Sequence, residues 1–279
     1  MGNVNIIGEI GINHNGDIEL AKKVIERFLY AGISMFKLQK RNPLLCVPDS
    51  QKSKPKQVPW RNEETTYLQY KQDIEFSYKE YEELYKFIDS LGVPKPVLFA
   101  SVWDIDSAKF MRDFTDIVKI PSAKITDLEL MEYCRTAFEF KMMSTGMSTE
   151  KEIKQGVFHL LPDVIFHTNS SYPTPLDKTK LEFIPRLKIL FPSTQVGYSN
   201  HCTDPLAVYV AVALRARWIE LHITLDKNSW GSDQASSFEP KEVEEMYKHI
   251  EWIWYCNKDL GNPRIVFPEE ESKRKSLRG

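Results

Sequence analysis

The sequence has little of what marks several large protein classes. Its four cysteines, Cys46, Cys134, Cys202 and Cys256, lie far apart, with no CxxC pair and no zinc-type spacing. That usage argues against a disulfide framework or a cysteine-based zinc site and predicts reduced, structural thiols. Cys202 adjoins His201, but no evident base partner supports a nucleophilic or metal-binding thiol. No apolar run approaches the ~18 residues needed to span a bilayer. The opening MGNVNIIGEIG reads as a strand rather than as the core of a leader peptide, so a soluble, cytoplasmic protein is expected. Charge of one sign is not in excess, since 37 Lys and Arg face 39 Asp and Glu for a formal charge of -2. Without a basic stripe, neither nucleic acid nor an anionic membrane is an expected partner. No GxGxxG follows the first apolar run, and there is no low-complexity segment.

What is present is an alternation. Asn5 to Ile10 is a short β-like run that ends in a turn-rich segment, with Asp17 placed to cap a helix over Ile18 to Leu29. Ser34 to Leu38 is followed, after a long loop, by a helix over Phe76 to Leu91; Val97 to Val102 leads into a helix near Asp104. Asp116 to Ile120 leads into one near Asp127, Phe140 to Met143 into one from Thr149, and Asp163 to Thr168 into one over Lys178 to Leu190. Gln195 to Ser199 precedes Pro205 to Leu214, and Arg217 to Leu221 precedes Pro240 to Asn257. Strict alternation implies a parallel sheet, because each parallel crossover needs room for a helix. Eight such pairs in a chain of 279 residues fit a single-domain (β/α)8 TIM barrel better than an open doubly wound sheet. The barrel is assigned to 1–266 and a polar, solvated tail to 267–279. The segment 40–73 breaks the rhythm: it is far longer than the roughly 2–6 residues usual in α/β connections and carries Pro43, Pro48, Pro55 and Pro59. It reads either as a lid over the barrel mouth or as a surface excursion.

In a barrel of this kind chemistry sits where the strands end. Those positions hold Glu9, Lys37, Gln39, Ser101, Asp104, Lys119, Ser122, Lys124, Ser144 with Gly146, Ser170, Tyr172, Ser199, His201, Glu220, His222 and, beyond, Asp233. Lys37 and Lys119 interrupt apolar runs, MFKLQ and DIVKIP; a buried lysine is costly without an anion, so each marks either a site or a structural ion pair. His201 and His222 each follow a strand, so they converge on one divalent metal or serve separately as a turn residue and a core histidine. Lysines and hydroxyls beside a glycine turn suit a phosphate and a carboxylate, two imidazoles suit a Mn²⁺-type ion, and Glu9 is a candidate general acid or base.

The stretches IIGEIGINHNG, FKLQ, IVKIPSAKITDLELM, MMSTGMST, SSYPTP, VGYSNH and IELHITLD with its following GSD resemble, in order, the catalytic barrel of the sialic acid synthase family. Those enzymes condense phosphoenolpyruvate with N-acetylmannosamine or a related sugar. The resemblance implies that His201 and His222 hold a divalent metal, Mn²⁺ with Mg²⁺ or Co²⁺ as alternatives. It further implies that Lys37, Lys119, Ser122, Ser144 and nearby Ser170 hold phosphoenolpyruvate, with Ser199 in the same pocket, and that Glu9, Gln39, Tyr172 and Asp233 face the sugar acceptor.

Two departures qualify it. Lys124 stands where the family commonly has an acid, which reverses a charge expected beside the sugar. The chain also stops at SKRKSLRG, about where the family continues into an antifreeze-like domain that delivers an arginine across a dimer. The acyl-amino end of the sugar is then expected to meet another element, such as the 40–73 loop, and any homo-oligomer to form in another way. The competing readings are a barrel aldolase or lyase forming a Schiff base on Lys37 or Lys119, and a barrel that binds sugar phosphate without turnover.

Overall fold

A computed structural model describes residues 4–92, 94–257 and 266–278. Its strands, in chain order, are β1 (Asn5–Gly11), β2 (Met35–Lys40), the ribbon strands β3 (Pro55–Lys56) and β4 (Thr65–Thr66), β5 (Val97–Val102), β6 (Ile117–Ile120), β7 (Phe140–Ser144), β8 (Val164–His167), β9 (Gln195–Asn200) and β10 (Trp218–His222). All but the ribbon form one closed barrel in the order β1-β10-β9-β8-β7-β6-β5-β2. Every neighbouring pair in it is parallel, and β1 closes the ring by pairing Glu9 with His222 on one side and with Lys37 on the other. This is the expected (β/α)8 architecture.

Each barrel strand is followed by a helix, and several of the helix starts are written in the sequence. Asp17 accepts hydrogen bonds from the Glu19 and Leu20 amides to open Ile18–Tyr30, whose Ala21, Val24, Ile25 and Phe28 form a buried stripe at helical spacing. Ser77 with Glu80, and Thr149 with Glu152, form capping boxes that open Tyr78–Ser90 and Glu150–Leu160. Where the expected boundaries fail, the backbone supplies the reason. The helix expected over Lys178 to Leu190 is instead a 3-10 turn at Leu176–Lys178 and a helix at Phe183–Leu190. Between them Lys180 has a φ of 52°, a left-handed conformation that no helix can pass through. Beyond Val266 the charge run, expected as a polar tail, is a helix, Pro268–Arg278, with no buried residue. Its EEE-to-KRK order places acids in the first turn and bases in the last, which suits the helix dipole.

The barrel interior is layered by the period of two along each strand. Ile7, Phe99, Met142, Val164, Phe166 and Trp218 form an apolar plug, separate from the larger core between strands and helices. Two residues further along the same strands the character changes: Ile7 gives way to Glu9, Met35 to Lys37, Phe99 to Ser101, Ile117 to Lys119, Met142 to Ser144 and Trp218 to Glu220. The plug thereby supports a polar floor at the carboxyl end of the barrel. Gly197 makes the plug possible, since a Cβ there would lie 2.8 Å from the Phe166 ring and 2.8 Å from the Trp218 Cβ. Gly197→Ala is expected to cost about 1–3 kcal/mol through overpacking. Urea unfolding measures this, and a variant as stable as the parent would show that the plug can yield.

Candidate active site at the carboxyl ends of the strands

A cavity of about 170 Å³ opens above the polar floor. Of the residues predicted for the site, Glu9, Lys37, Gln39, Lys119, Ser122, Ser144, Ser170, Tyr172, Ser199, His201 and His222 line it. Ser101, Trp103, Met147, Thr168 and Glu220 line it as well.

The floor is a buried alternation of charge. Lys37 Nζ lies 2.6 Å from Glu9 Oε2 and 3.8 Å from Glu220 Oε1, and Lys119 Nζ lies 2.7 Å from the same Glu220 oxygen. Ser199 donates to that oxygen at 3.0 Å, and Gln39 Nε2 donates to Glu9 Oε1 at 3.3 Å. All four charged side chains are at most 5% exposed. Burial opposes each charge, yet the balance differs from group to group. Burial raises the Glu9 pKa above the usual carboxylate range against the pull of Lys37. Burial also works against ionised Glu220, but Lys119 and Lys37 overcome it and hold Glu220 down at about 2. Lys37 is raised because Glu220 and Glu9 outweigh its desolvation. Lys119 is lowered to about 8, desolvation and repulsion from Lys37 outweighing its pairing with Glu220. Glu9 Oε2 and Glu220 Oε2 are buried without a hydrogen-bond partner, so the floor has unused polar capacity. For Glu9 Oε2 the close approach of Lys37 is an ionic contact without hydrogen-bond alignment.

The two histidines do converge. Their ring centroids are 5.5 Å apart, and Tyr172 packs on His201 at 4.0 Å. His201 Nδ1 lies 2.5 Å from the Asn169 carbonyl oxygen, which can only accept, so this nitrogen carries the proton. The bare Nε2 then accepts from the Tyr172 hydroxyl at 2.8 Å. Burial, reinforced by His222, lowers the His201 pKa to about 3 and keeps the ring neutral. His222 Nδ1 is buried without a hydrogen-bond partner, 3.8 Å from Asp233 Oδ2. Two neighbouring imidazoles, the His201 ring neutral with its lone pair on Nε2, are donor types that suit a borderline divalent ion. Among the described residues no group of three or more His, Cys, Asp or Glu side chains gathers as a metal cage. Two imidazoles alone would leave the remaining ligands of such an ion to water or substrate.

Beside the histidines is a hydroxyl cradle. The Gly146 amide donates to Ser122 Oγ at 3.0 Å. A Cβ on Gly146 would lie 2.2 Å from Ser170 Oγ and 2.8 Å from Ser122 Oγ, so only glycine lets these hydroxyls and the backbone approach so closely. Such convergent donors suit an oxyanion.

Other predicted residues sit apart. Lys124 does not line the cavity. The 3-10 turn at Ser122–Lys124 carries its ammonium to Asp127, 3.1 Å away, whose other oxygen caps Leu128–Ala137. The sign reversal expected beside the sugar is thus absorbed by a helix cap. Asp233 stands just outside the lining, at the back of His222. Asp104 is a helix cap and also accepts from the Asn42 amide at 2.7 Å. Cys202 is buried in the main core, and all four cysteines are free thiols. The 40–73 segment contributes Val58 and Tyr70 to a small core that Ile74, just past its end, shares and that Ile12 and Trp230, from the loops after β1 and β10, close. It packs against that side of the barrel, with Arg41 stacked on the cavity-lining Trp103. Sequence reasoning set Glu220 among the strand-end residues without giving it a part. Its signal was the acid at the inward position of IELH, in register with Ser199.

Sequence and structure comparison agree on the relationship. The NeuB family profile matches residues 24–261. The N,N'-diacetyllegionaminic acid synthase of Campylobacter jejuni is 31% identical over 256 residues, covering 89% of this chain and 75% of that protein. The N-acetylneuraminate-9-phosphate synthase of Mus musculus is 31% identical over 266 residues, covering 92% and 71%. Among solved structures, the N-acetylneuraminic acid synthetase of Leptospira borgpetersenii in complex with citrate superposes with a TM-score of 0.86 at 27% identity, over 99% of this chain and 93% of that one. A truncated 3-deoxy-D-arabino-heptulosonate 7-phosphate synthase from Thermotoga maritima, at 11% identity and a TM-score of 0.65, shares the fold alone. By the extent of the profile match and by these relatives, the chain belongs to the NeuB family.

Proposed function

We propose that this protein joins phosphoenolpyruvate to the aldehyde carbon of an aldose or N-acyl amino sugar, releasing phosphate and a 2-keto-3-deoxy sugar acid. The observation that carries this reading is the placement of two buried lysines and a hydroxyl cradle beside two imidazoles in one cavity. Lys37 and Lys119 would balance the anionic substrate, and Ser122, Ser144, Ser170 and the Gly146 turn would hold its phosphate. Carbon 3 of phosphoenolpyruvate attacks the sugar aldehyde, forming the C–C bond, and the aldehyde oxygen takes up a proton. Glu9, with its raised pKa, is the donor for that proton. The resulting carboxylate then accepts a proton from the water that adds at carbon 2, and collapse of that adduct breaks the C–O bond and expels phosphate. Gln39 holds Glu9 from one side and Tyr172 covers His201, so both face the acceptor. Asp233 stands behind His222, 3.8 Å from its Nδ1, and Ser199 fixes Glu220 beneath the lysines. A divalent ion of the Mn²⁺ type, with Mg²⁺ or Co²⁺ as alternatives, would be held by His201 and His222 and would supply Lewis-acid polarisation of the sugar carbonyl. Among the described residues no helix is long and apolar enough to cross a membrane, which accords with action on soluble substrates.

Three outcomes test this reading. Phosphate release from phosphoenolpyruvate should require both a sugar and a divalent ion. His201→Ala and His222→Ala should each lower it by about 100-fold or more while leaving the thermal transition in place. Full activity in both variants would remove the metal from the site.

The second outcome concerns pH. Lys119 has a depressed pKa, so its charge is present below about pH 8 and is lost as pH rises through that value. The kcat/KM for phosphoenolpyruvate should therefore fall on the alkaline side of about 8. Glu220→Gln removes a carboxylate that raises Lys119, so it should move that limb to lower pH. A limb that stays put would separate Lys119 from the binding of the anion.

The lowered pKa of Lys119 is also what a Schiff-base lysine needs, which keeps the aldolase reading in view. Borohydride added with pyruvate or a sugar aldehyde should leave the mass of the protein unchanged. A reduced adduct on Lys119 would replace the synthase with the aldolase.

A further inference from the structure

His201 has one lone pair, and it is already occupied. With Nδ1 protonated against the Asn169 carbonyl at 2.5 Å, Nε2 is the only ring position that can accept, and the Tyr172 hydroxyl donates to it at 2.8 Å. Among the described residues that hydroxyl makes no other hydrogen bond. The phenol ring packs against both imidazoles. It lies 4.0 Å from His201 at an interplanar angle of 30°, and 5.6 Å from His222 at 85°. An ion held by the two histidines would have to reach Nε2 at the position where the Tyr172 proton now sits.

The backbone around Tyr172 is held in place, whereas the side chain is not. On one side Asn169 Oδ1 accepts from the Ser171 amide at 2.9 Å and from Ser171 Oγ at 2.8 Å, and Asn169 Nδ2 donates to the Lys178 carbonyl at 2.9 Å. On the other side the Thr174 amide donates to the His201 carbonyl at 2.8 Å. Tyr172 itself is 47% exposed although it lines the cavity. Rotation about its own side-chain bonds is therefore enough to release the imidazole, and the loop keeps its place. A neutral hydroxyl and a divalent ion compete for the same electron pair on Nε2, and a neutral hydrogen bond is the weaker of the two claims.

We propose that Tyr172 gates the metal position: its hydroxyl holds the His201 lone pair until a divalent ion takes it, and the released hydroxyl then turns to the acceptor sugar. The ion accordingly binds before the sugar. This deepens the synthase reading and rests on it for the sugar, whereas the gate itself rests on the two imidazoles and the phenol.

Mn²⁺ binding, followed by the electron paramagnetic resonance of the free ion, reads the gate without turnover. Tyr172→Phe keeps the ring and removes the competing proton, so it should bind Mn²⁺ about tenfold more tightly than the parent. Equal or weaker binding in Tyr172→Phe overturns the gate, as does an absence of Mn²⁺ binding in both proteins. Binding that survives His201→Ala also overturns it, because the titrated ion would then lie elsewhere. Calorimetry with the unreactive alditol of an N-acyl hexosamine reads the second step. The parent should bind the alditol only once Mn²⁺ is present, and Tyr172→Phe should bind it about tenfold more weakly at saturating Mn²⁺. Opposite signs for ion and alditol in one variant are the signature, since a loss of packing would weaken both. Alditol binding that is equal in the two proteins, or that needs no ion, overturns the transfer of the hydroxyl to the sugar. An absence of phosphate release with every sugar, alongside tighter Mn²⁺ binding in Tyr172→Phe, removes the synthase reading and still supports the gate.

Discussion

The structure turns on four charges that alternate across the floor of the barrel. Glu9, Lys37, Glu220 and Lys119 are all out of water, and each carboxylate lies against at least one lysine. Removing charges from water is expensive, and apolar residues of similar volume often make a core at least as stable. The plug directly beneath, with Phe99, Phe166 and Met142, shows that this barrel fills its interior with apolar side chains elsewhere. The charged layer is therefore not what packing alone would select. It makes chemical sense once an anion enters, because the set is neutral as it stands and an incoming phosphate or carboxylate tips it toward excess negative charge. Glu9 is the member best placed to take up a proton in response, since its pKa is already raised while that of Glu220 is held near 2. In the proposed reaction, binding the anion and arming the acid would be one electrostatic event.

Much of this layer was legible in the sequence, because a strand fixes the direction of its side chains. Once MFKLQ and DIVKIP are strands, the period of two places Lys37 and Lys119 inside, above Met35 and Ile117. The same rule brings His201 and His222 together from adjacent strands. The positions that misled lie off the strands. Lys124 follows a strand by a few residues, and the 3-10 turn there rotates it toward Asp127; proximity in sequence to a strand end does not fix orientation once the backbone leaves the sheet. The helix start at Phe183 depends on the left-handed Lys180, a residue type that gives no warning of that conformation.

The 40–73 segment was opaque for a related reason. It has neither helical nor strand periodicity, and its order comes from a small aromatic core completed by Ile12 and Trp230, residues from opposite ends of the chain. Contacts of that range cannot be read from local pattern. Its four prolines and its length suggested a mobile lid or an excursion with equal force. In the structure Arg41 stacks on the cavity-lining Trp103 and Tyr70 packs on Trp230, so the segment touches both the cavity wall and the loop after the last strand.

That attachment has a consequence for how the site recognises its acceptor. The floor and the hydroxyl cradle use backbone-fixed groups on strands, which hold position whatever enters. On the other side of the mouth Lys71 rests on the Tyr70 and Tyr67 rings, whereas Arg41 both stacks on Trp103 and pairs with Glu75. A cation resting on an aromatic face keeps its hydrogen-bond donors uncommitted, whereas one locked to a carboxylate has spent them. The chain thus places carboxylate-paired charge at the reacting end, where geometry must not vary, and at the far side an ammonium, that of Lys71, that rests on rings.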